Sequence, residues 1–114
     1  MKTLRLTSFV LLLSVGLCSC ESKSKVKVPD PCLTEHQMIE VLTDVYVVEA
    51  ILNQKKAQGQ PFDSLINSYY EQVFEHYGIT DSILDANMEY YAYYPEILER
   101  IMDSVVNRLD QAKQ

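Results

Sequence analysis

The chain contains no tryptophan, and only three glycines and three cysteines among its 114 residues. With so few glycines there is no phosphate-cradling glycine loop and no G-x-S-x-G turn, and the zinc-protease pattern H-E-x-x-H is also missing. Three cysteines, with no C-x-x-C among them, exclude a disulfide-stapled scaffold and a thioredoxin-type redox pair. Basic side chains are in the minority, ten against sixteen acidic, for a net charge of −6. That balance argues against nucleic-acid binding, which needs clustered Lys and Arg to displace counterions from phosphates. No apolar run reaches the roughly 20 residues of a membrane-spanning helix. Period-2 alternation is also absent, which leaves no strand pattern.

What the chain does have starts at its first residues. Lys2 and Arg5 precede an uncharged stretch, Leu6 to Ser19, that ends in Leu17-Cys18-Ser19-Cys20. A positive start followed by a short apolar run reads as a cleaved signal over residues 1–19. The tetrad L-x-S-C resembles the bacterial lipoprotein lipobox, whose cysteine is diacylated and becomes the first residue of the mature chain. Cys20 fits that role, whereas Cys18, preceded by bulky Leu17, does not. Cleavage before Cys20 would move the net charge to −8 and leave Cys32 as the remaining free thiol. No base stands near Cys32 to form a thiolate.

Residues 20–33 are expected to be the lipidated cysteine and a linker, with alternating Ser and Lys followed by two prolines that interrupt any helix. Thirteen such residues reach about 44 Å fully extended and about 20 Å on average. This tether carries a net +1 over residues 21–33, whereas residues 34–114 carry five basic and fourteen acidic side chains, a net −9. The remaining 81 residues suffice for one small core.

Residues 34–114 read as an all-α bundle of about four amphipathic helices. Thr34 and Gln37 have capping-box spacing, and Met38, Val41, Leu42, Val45, Val48 and Leu52 recur at steps of three and four, which predicts a helix to about Ala57. Gln58-Gly59-Gln60-Pro61 breaks it, and Pro61 is placed to open a second helix at its first position. The face of this helix is Phe62, Leu65, Ile66, Tyr69, Tyr70, Val73 and Tyr77, and Gly78 closes it. Thr80 caps a third, short helix with Ile83, Leu84, Tyr90, Tyr91 and Tyr94 inward. Pro95 starts the fourth, with Leu98, Ile101, Met102, Val105, Leu109 and Ala112 in register.

The order TEHQMIEVLTDVYVVEAIL, SYYEQVFEHYGIT, N-x-x-YY and PEILERIMDSVVNRL resembles the lipoprotein family catalogued as domain of unknown function 4296, common in Bacteroidetes. Its most specific element is Tyr77-Gly78-Ile79-Thr80, followed by a Tyr-Tyr pair and Pro95-Glu96. The resemblance covers roughly residues 33–110 and implies fold and setting, since the family has no established catalytic residues to carry over. Surface-exported lipoproteins of that phylum tend to have acidic residues after the lipidated Cys. Here Glu21 is followed by Ser-Lys-Ser-Lys, which favours a domain facing the periplasm from the outer membrane.

Three constellations are candidates for chemistry or recognition. At 100° per residue Glu49 falls about 20° from Met38, inside the apolar stripe of the first helix. Asn87 interrupts the stripe of the third helix, and Arg108 borders that of the fourth, so Glu49, Asn87 and Arg108 are expected to meet as a buried polar cluster. The run Tyr90-Tyr91-Ala92-Tyr93-Tyr94 cannot face only inward on a helix, and Tyr93 falls away from the stripe. Tyr90, Tyr93 and Tyr94 are therefore the candidate partner-binding residues. His36, Glu40 and Asp44 lie one turn apart on a polar face, too few ligands by themselves to hold a metal. His76 suits a helix C-terminus.

These residues point to a non-catalytic module, held to the membrane through Cys20, that binds another envelope protein and needs no cofactor. Two alternatives stay open. One is a chaperone-like holder of unfolded outer-membrane polypeptides, which requires an exposed aromatic groove. The other is a small envelope enzyme using Glu49 with His36 or His76.

Overall fold

The computed structural model describes residues 25–113; the expected signal segment, residues 1–19, and Cys20 lie outside the described residues. Thr34 opens the first helix, α1 (Glu35–Ala57), through a full capping box. Gln37 N–H donates to Thr34 Oγ1 at 3.2 Å, and Thr34 N–H donates to Gln37 Oε1 at 2.9 Å. Two backbone donors that a helix N-terminus leaves unpaired are thereby satisfied. Three helices follow: α2 (Asp63–Tyr77), α3 (Asp81–Ala92) and α4 (Pro95–Gln111). The described residues are thus an all-α small bundle. None of its helices is long and apolar enough to cross a membrane.

Each boundary has a local cause. Gly78 takes φ 63°, a left-handed conformation that lets its N–H close on the Glu75 and Phe74 carbonyls and end α2. Thr80 Oγ1 accepts from Ile83 N–H at 3.3 Å to start α3, and Pro95 occupies the first turn of α4, where its missing N–H costs nothing. Pro61 does not open α2. The helix begins two residues later, with Phe62 as N-cap and no side-chain cap. Asp63 sits in its first turn, where a carboxylate is favoured by the helix dipole.

One core joins α1, α3 and α4: Met38, Val41 and Leu42 pack with Leu84, Tyr91, Ile101 and Val105. The largest interface is between α1 and α4, and Glu35 pairs with Arg100 at 3.0 Å to set the start of α4 beside the start of α1. Each aliphatic side chain fully buried there contributes about 1.5–3 kcal/mol. α2 differs. It lies along α1, and none of its residues is fully buried, so the apolar face read for it is only partly covered. Val48 and Leu52 are buried but lie outside the main core, on the half of α1 that runs on to the turn before α2.

The eighth member of the core is Leu33, 5% exposed. Residues expected to be linker therefore belong to the fold. The chain from Pro31 to Leu33 is laid against α3, so the fold begins before Thr34.

Candidate functional site

Asn87 is fully buried, and neither polar atom of its side chain is left without a partner. Its Oδ1 accepts from Leu33 N–H at 2.7 Å, while Nδ2 donates to Pro31 O at 3.0 Å and to Ile83 O at 2.9 Å. One turn further along α3, Tyr91 Oη donates to Leu33 O at 2.7 Å. Two side chains of one helix thus hold the main chain of Pro31–Leu33 on both its donor and acceptor sides. Burial is the leading cause that pushes the Tyr91 phenol above its ordinary pKa. Cys32, between the two clasped residues, is an exposed free thiol.

Glu49 and Arg108 do not join Asn87. Both are exposed, and the expected cluster of three does not form. The apolar seam of α1 runs Met38, Val41, Val45, Val48, Leu52, in steps averaging 3.5 residues, and such a seam rotates by about 20° per heptad relative to a straight 3.6-residue helix. Measured along that seam, Glu49 is about 50° from the line of Met38, Val45 and Leu52, on the side away from Val41 and Val48. Its carboxylate instead accepts from the Tyr70 hydroxyl of α2. Tyr77, one heptad further along α2, donates to Asp44 Oδ2 at 2.7 Å. Five residues separate Asp44 from Glu49, about 140° around α1, so the two phenols grip α1 on different flanks of its seam. These bonds compensate for the thin burial of α2. The carboxylate bond raises the Tyr70 pKa to about 12, and burial followed by the Asp44 bond raises that of Tyr77 further.

At the C-terminal end of α3 the tyrosines divide. Tyr91 is core. Tyr90 is half-buried, its ring 5.3 Å from that of Tyr91 and 5.2 Å from that of Tyr94. Tyr93 is 53% exposed and Tyr94 39% exposed. Tyr94 therefore does not point inward with α3 as its helical phase suggests. α3 ends at Ala92, and Tyr94 has become the N-cap of α4, with φ −123°.

The remaining candidates stay apart. His36 Nε2 lies 3.4 Å from Glu40 Oε1 on an exposed face, and Asp44 is engaged by Tyr77. Among the described residues no group of three or more His, Cys, Asp and Glu side chains is placed to hold a metal. His36 and Glu49 are separated by about 20 Å along α1, too far to share a proton. The His76 ring meets that of Tyr77 edge-on at 4.8 Å, as suits a helix end.

Among the described residues, two clefts bear on these side chains. One, of about 540 Å³, lies where α2 meets α3, between Tyr70, Phe74 and Ile79 with Glu71, Glu75 and Asp81 around them. The other, of about 600 Å³, separates the segment Lys25–Asp30 from Ala86, Glu89 and Tyr90 of α3 and from Tyr93, which caps its C-terminus. Sequence reasoning finds Tyr93 because it leaves the stripe. It misses Pro31 and Leu33, whose role depends on two α3 side chains more than fifty residues away.

The architecture defines a small helical domain built around a clasped N-terminal strap, with an exposed tyrosine edge. The family model described as "Domain of unknown function (DUF4296)" matches residues 29–114, and the chain belongs to that family. The match starts at Pro29, so it includes the clasped strap. No curated protein and no solved structure matches the chain.

Proposed function

We propose that this chain is a non-catalytic helical module, anchored by acyl chains on Cys20 to the periplasmic face of the outer membrane, that binds another envelope protein. The observation that carries the reading is the tyrosine edge. Tyr93, 53% exposed, stands next to Tyr90, Tyr91 and Tyr94, of which Tyr90 meets Tyr91 edge-on at 5.3 Å and Tyr94 at a tilt at 5.2 Å. An exposed tyrosine offers large contact area at little loss of side-chain entropy, which is what a protein-binding anchor needs. The anchor is supported by the Leu17-x-Ser19-Cys20 pattern.

Tyr93→Ala tests the edge in the full-length chain. Melting should be unchanged, because the ring packs in no core, while crosslinked recovery of the partner from intact envelopes should fall by about thirtyfold, the equivalent of about 2 kcal/mol. Equal recovery from parent and variant would remove Tyr93 from the binding face. For the anchor, Cys20→Ser should abolish acyl labelling and membrane residence while Cys18→Ser leaves both intact; an unlabelled parent chain would end the lipoprotein reading. Stable residence needs two acyl chains, which a diacylated cysteine supplies.

A further inference from the structure

The second cleft has walls of two kinds. One is the outer face of α3 with its C-terminal cap, Ala86, Tyr90 and Tyr93; the other is a stretch of chain, Val26 to Pro29. Val28 is 58% exposed whereas Val26 and Pro29 are half-buried, so the stretch borders α3 with only part of its apolar surface covered. Among the described residues, no backbone hydrogen bond engages any residue from Lys25 to Asp30. The N–H and C=O groups of this wall are therefore open to a partner, as at a free strand edge. Immediately downstream the same chain is clamped: Asn87 and Tyr91 hold Pro31 and Leu33 by their main-chain atoms. The wall is thus fixed at one end and stands over the tyrosine edge at the other.

We propose that this slot is the contact surface of the partner, and that its occupant is a segment of the partner chain lying extended between Val26–Pro29 and α3. The inference rests on the protein-binding reading above and adds to it the second wall and the conformation of what is bound. Charge selects among occupants. Lys25, Lys27 and Asp30 lie on the strap wall and Glu89 on the α3 wall, two charges of each sign, so a uniformly charged ligand would meet like charges whichever its sign. A polypeptide main chain, dipolar and of no net charge, suits both. Its amides can pair with the open strap edge while an apolar side chain rests against Tyr90 and Tyr93. The volume, about 600 Å³, falls in the range of about 300–1,000 Å³ typical of ligand sites.

The test installs a photocrosslinking phenylalanine analogue singly at Val28, Ala86 and Tyr93 in the full-length chain, with Gln72 on α2 as a control, and irradiates intact envelopes. Adducts from Val28 and Ala86 to one short stretch of the same partner polypeptide are expected, with none from Gln72. In the Ala86 background, Val26→Pro removes an N–H from the strap edge and should lower adduct yield by about two- to tenfold, the net worth of one hydrogen bond. Melting should stay unchanged, because Val26 lies upstream of the clasp. A Tyr93 adduct without a Val28 adduct would overturn the slot and leave the protein-binding reading standing. Adducts to lipid, or to a second copy of this chain, would overturn the slot. No adduct from Tyr93, Val28 or Ala86 would overturn both.

Discussion

Removing the Asn87 amide is the sharpest perturbation the fold offers. In Asn87→Ala the Leu33 N–H, buried with its residue, loses its acceptor, and an unsatisfied buried donor costs about 1–3 kcal/mol. Pro31 O recovers part of its loss, because Pro31 is exposed and water can replace the amide. Ile83 O lies within α3 and loses only a second donor. With the small void left by the missing side chain, the total is about 2–4 kcal/mol. A domain of this size has about 5–10 kcal/mol in hand, so the loss would show clearly. Urea unfolding followed by far-ultraviolet circular dichroism should move its midpoint down by about 2–4 M at a slope near 1 kcal/mol per M. Tyr91→Phe, which deletes the other half of the clasp but keeps the ring, should cost about 1 kcal/mol. Because both side chains hold Leu33, the double variant should depart from additivity by at least about 0.5 kcal/mol. An Asn87→Ala midpoint within about 0.5 M of the parent would refute the view that the strap is part of the fold.

The other expectations are simpler. A chain beginning at Thr34 lacks Leu33, so it should melt well below one beginning at Pro29; equal melting would return residues 29–33 to the linker. Glu49→Ala, at an exposed bond to Tyr70, should cost about 1 kcal/mol or less, against the 3–5 kcal/mol expected for a buried, paired carboxylate; a larger loss in denaturation would restore Glu49 to the interior. Tyr70, Tyr77 and Tyr91 all have phenols raised above the ordinary value in the folded protein. Their stabilisation is complete below about pH 10 and is lost as the pH rises through the folded values, about 12 for Tyr70. The last part of the phenolate absorbance should therefore rise late and together with loss of helical signal, and Tyr70→Phe should remove part of that late phase. Phenolate absorbance that is complete while the helices are intact would count against the grip of α2 on α1.

The helices and most of their ends are legible in the residues themselves, because capping and periodicity act over three or four positions. Thr34 with Gln37, Gly78, Thr80 and Pro95 each act on neighbouring backbone, and each does in the structure what its local chemistry requires. The tyrosine edge is partly legible for the same reason. Tyr93 leaves the stripe by its phase, but the exposure of Tyr94 depends on where α3 stops and α4 begins. Partners distant in sequence are a different matter. That Asn87 is an odd residue in an apolar stripe can be read from its position; that it binds Leu33, 54 residues earlier, is decided only when the strap docks. Glu49 looks buried by its phase on α1 and is not, because the main core covers only the first half of that helix, and the helix beside Glu49 is α2, none of whose residues is fully buried. Local backbone chemistry thus determined the elements of this protein, and tertiary packing, through hydrogen bonds between residues far apart in the chain, decided where the fold begins and which polar groups it holds inside.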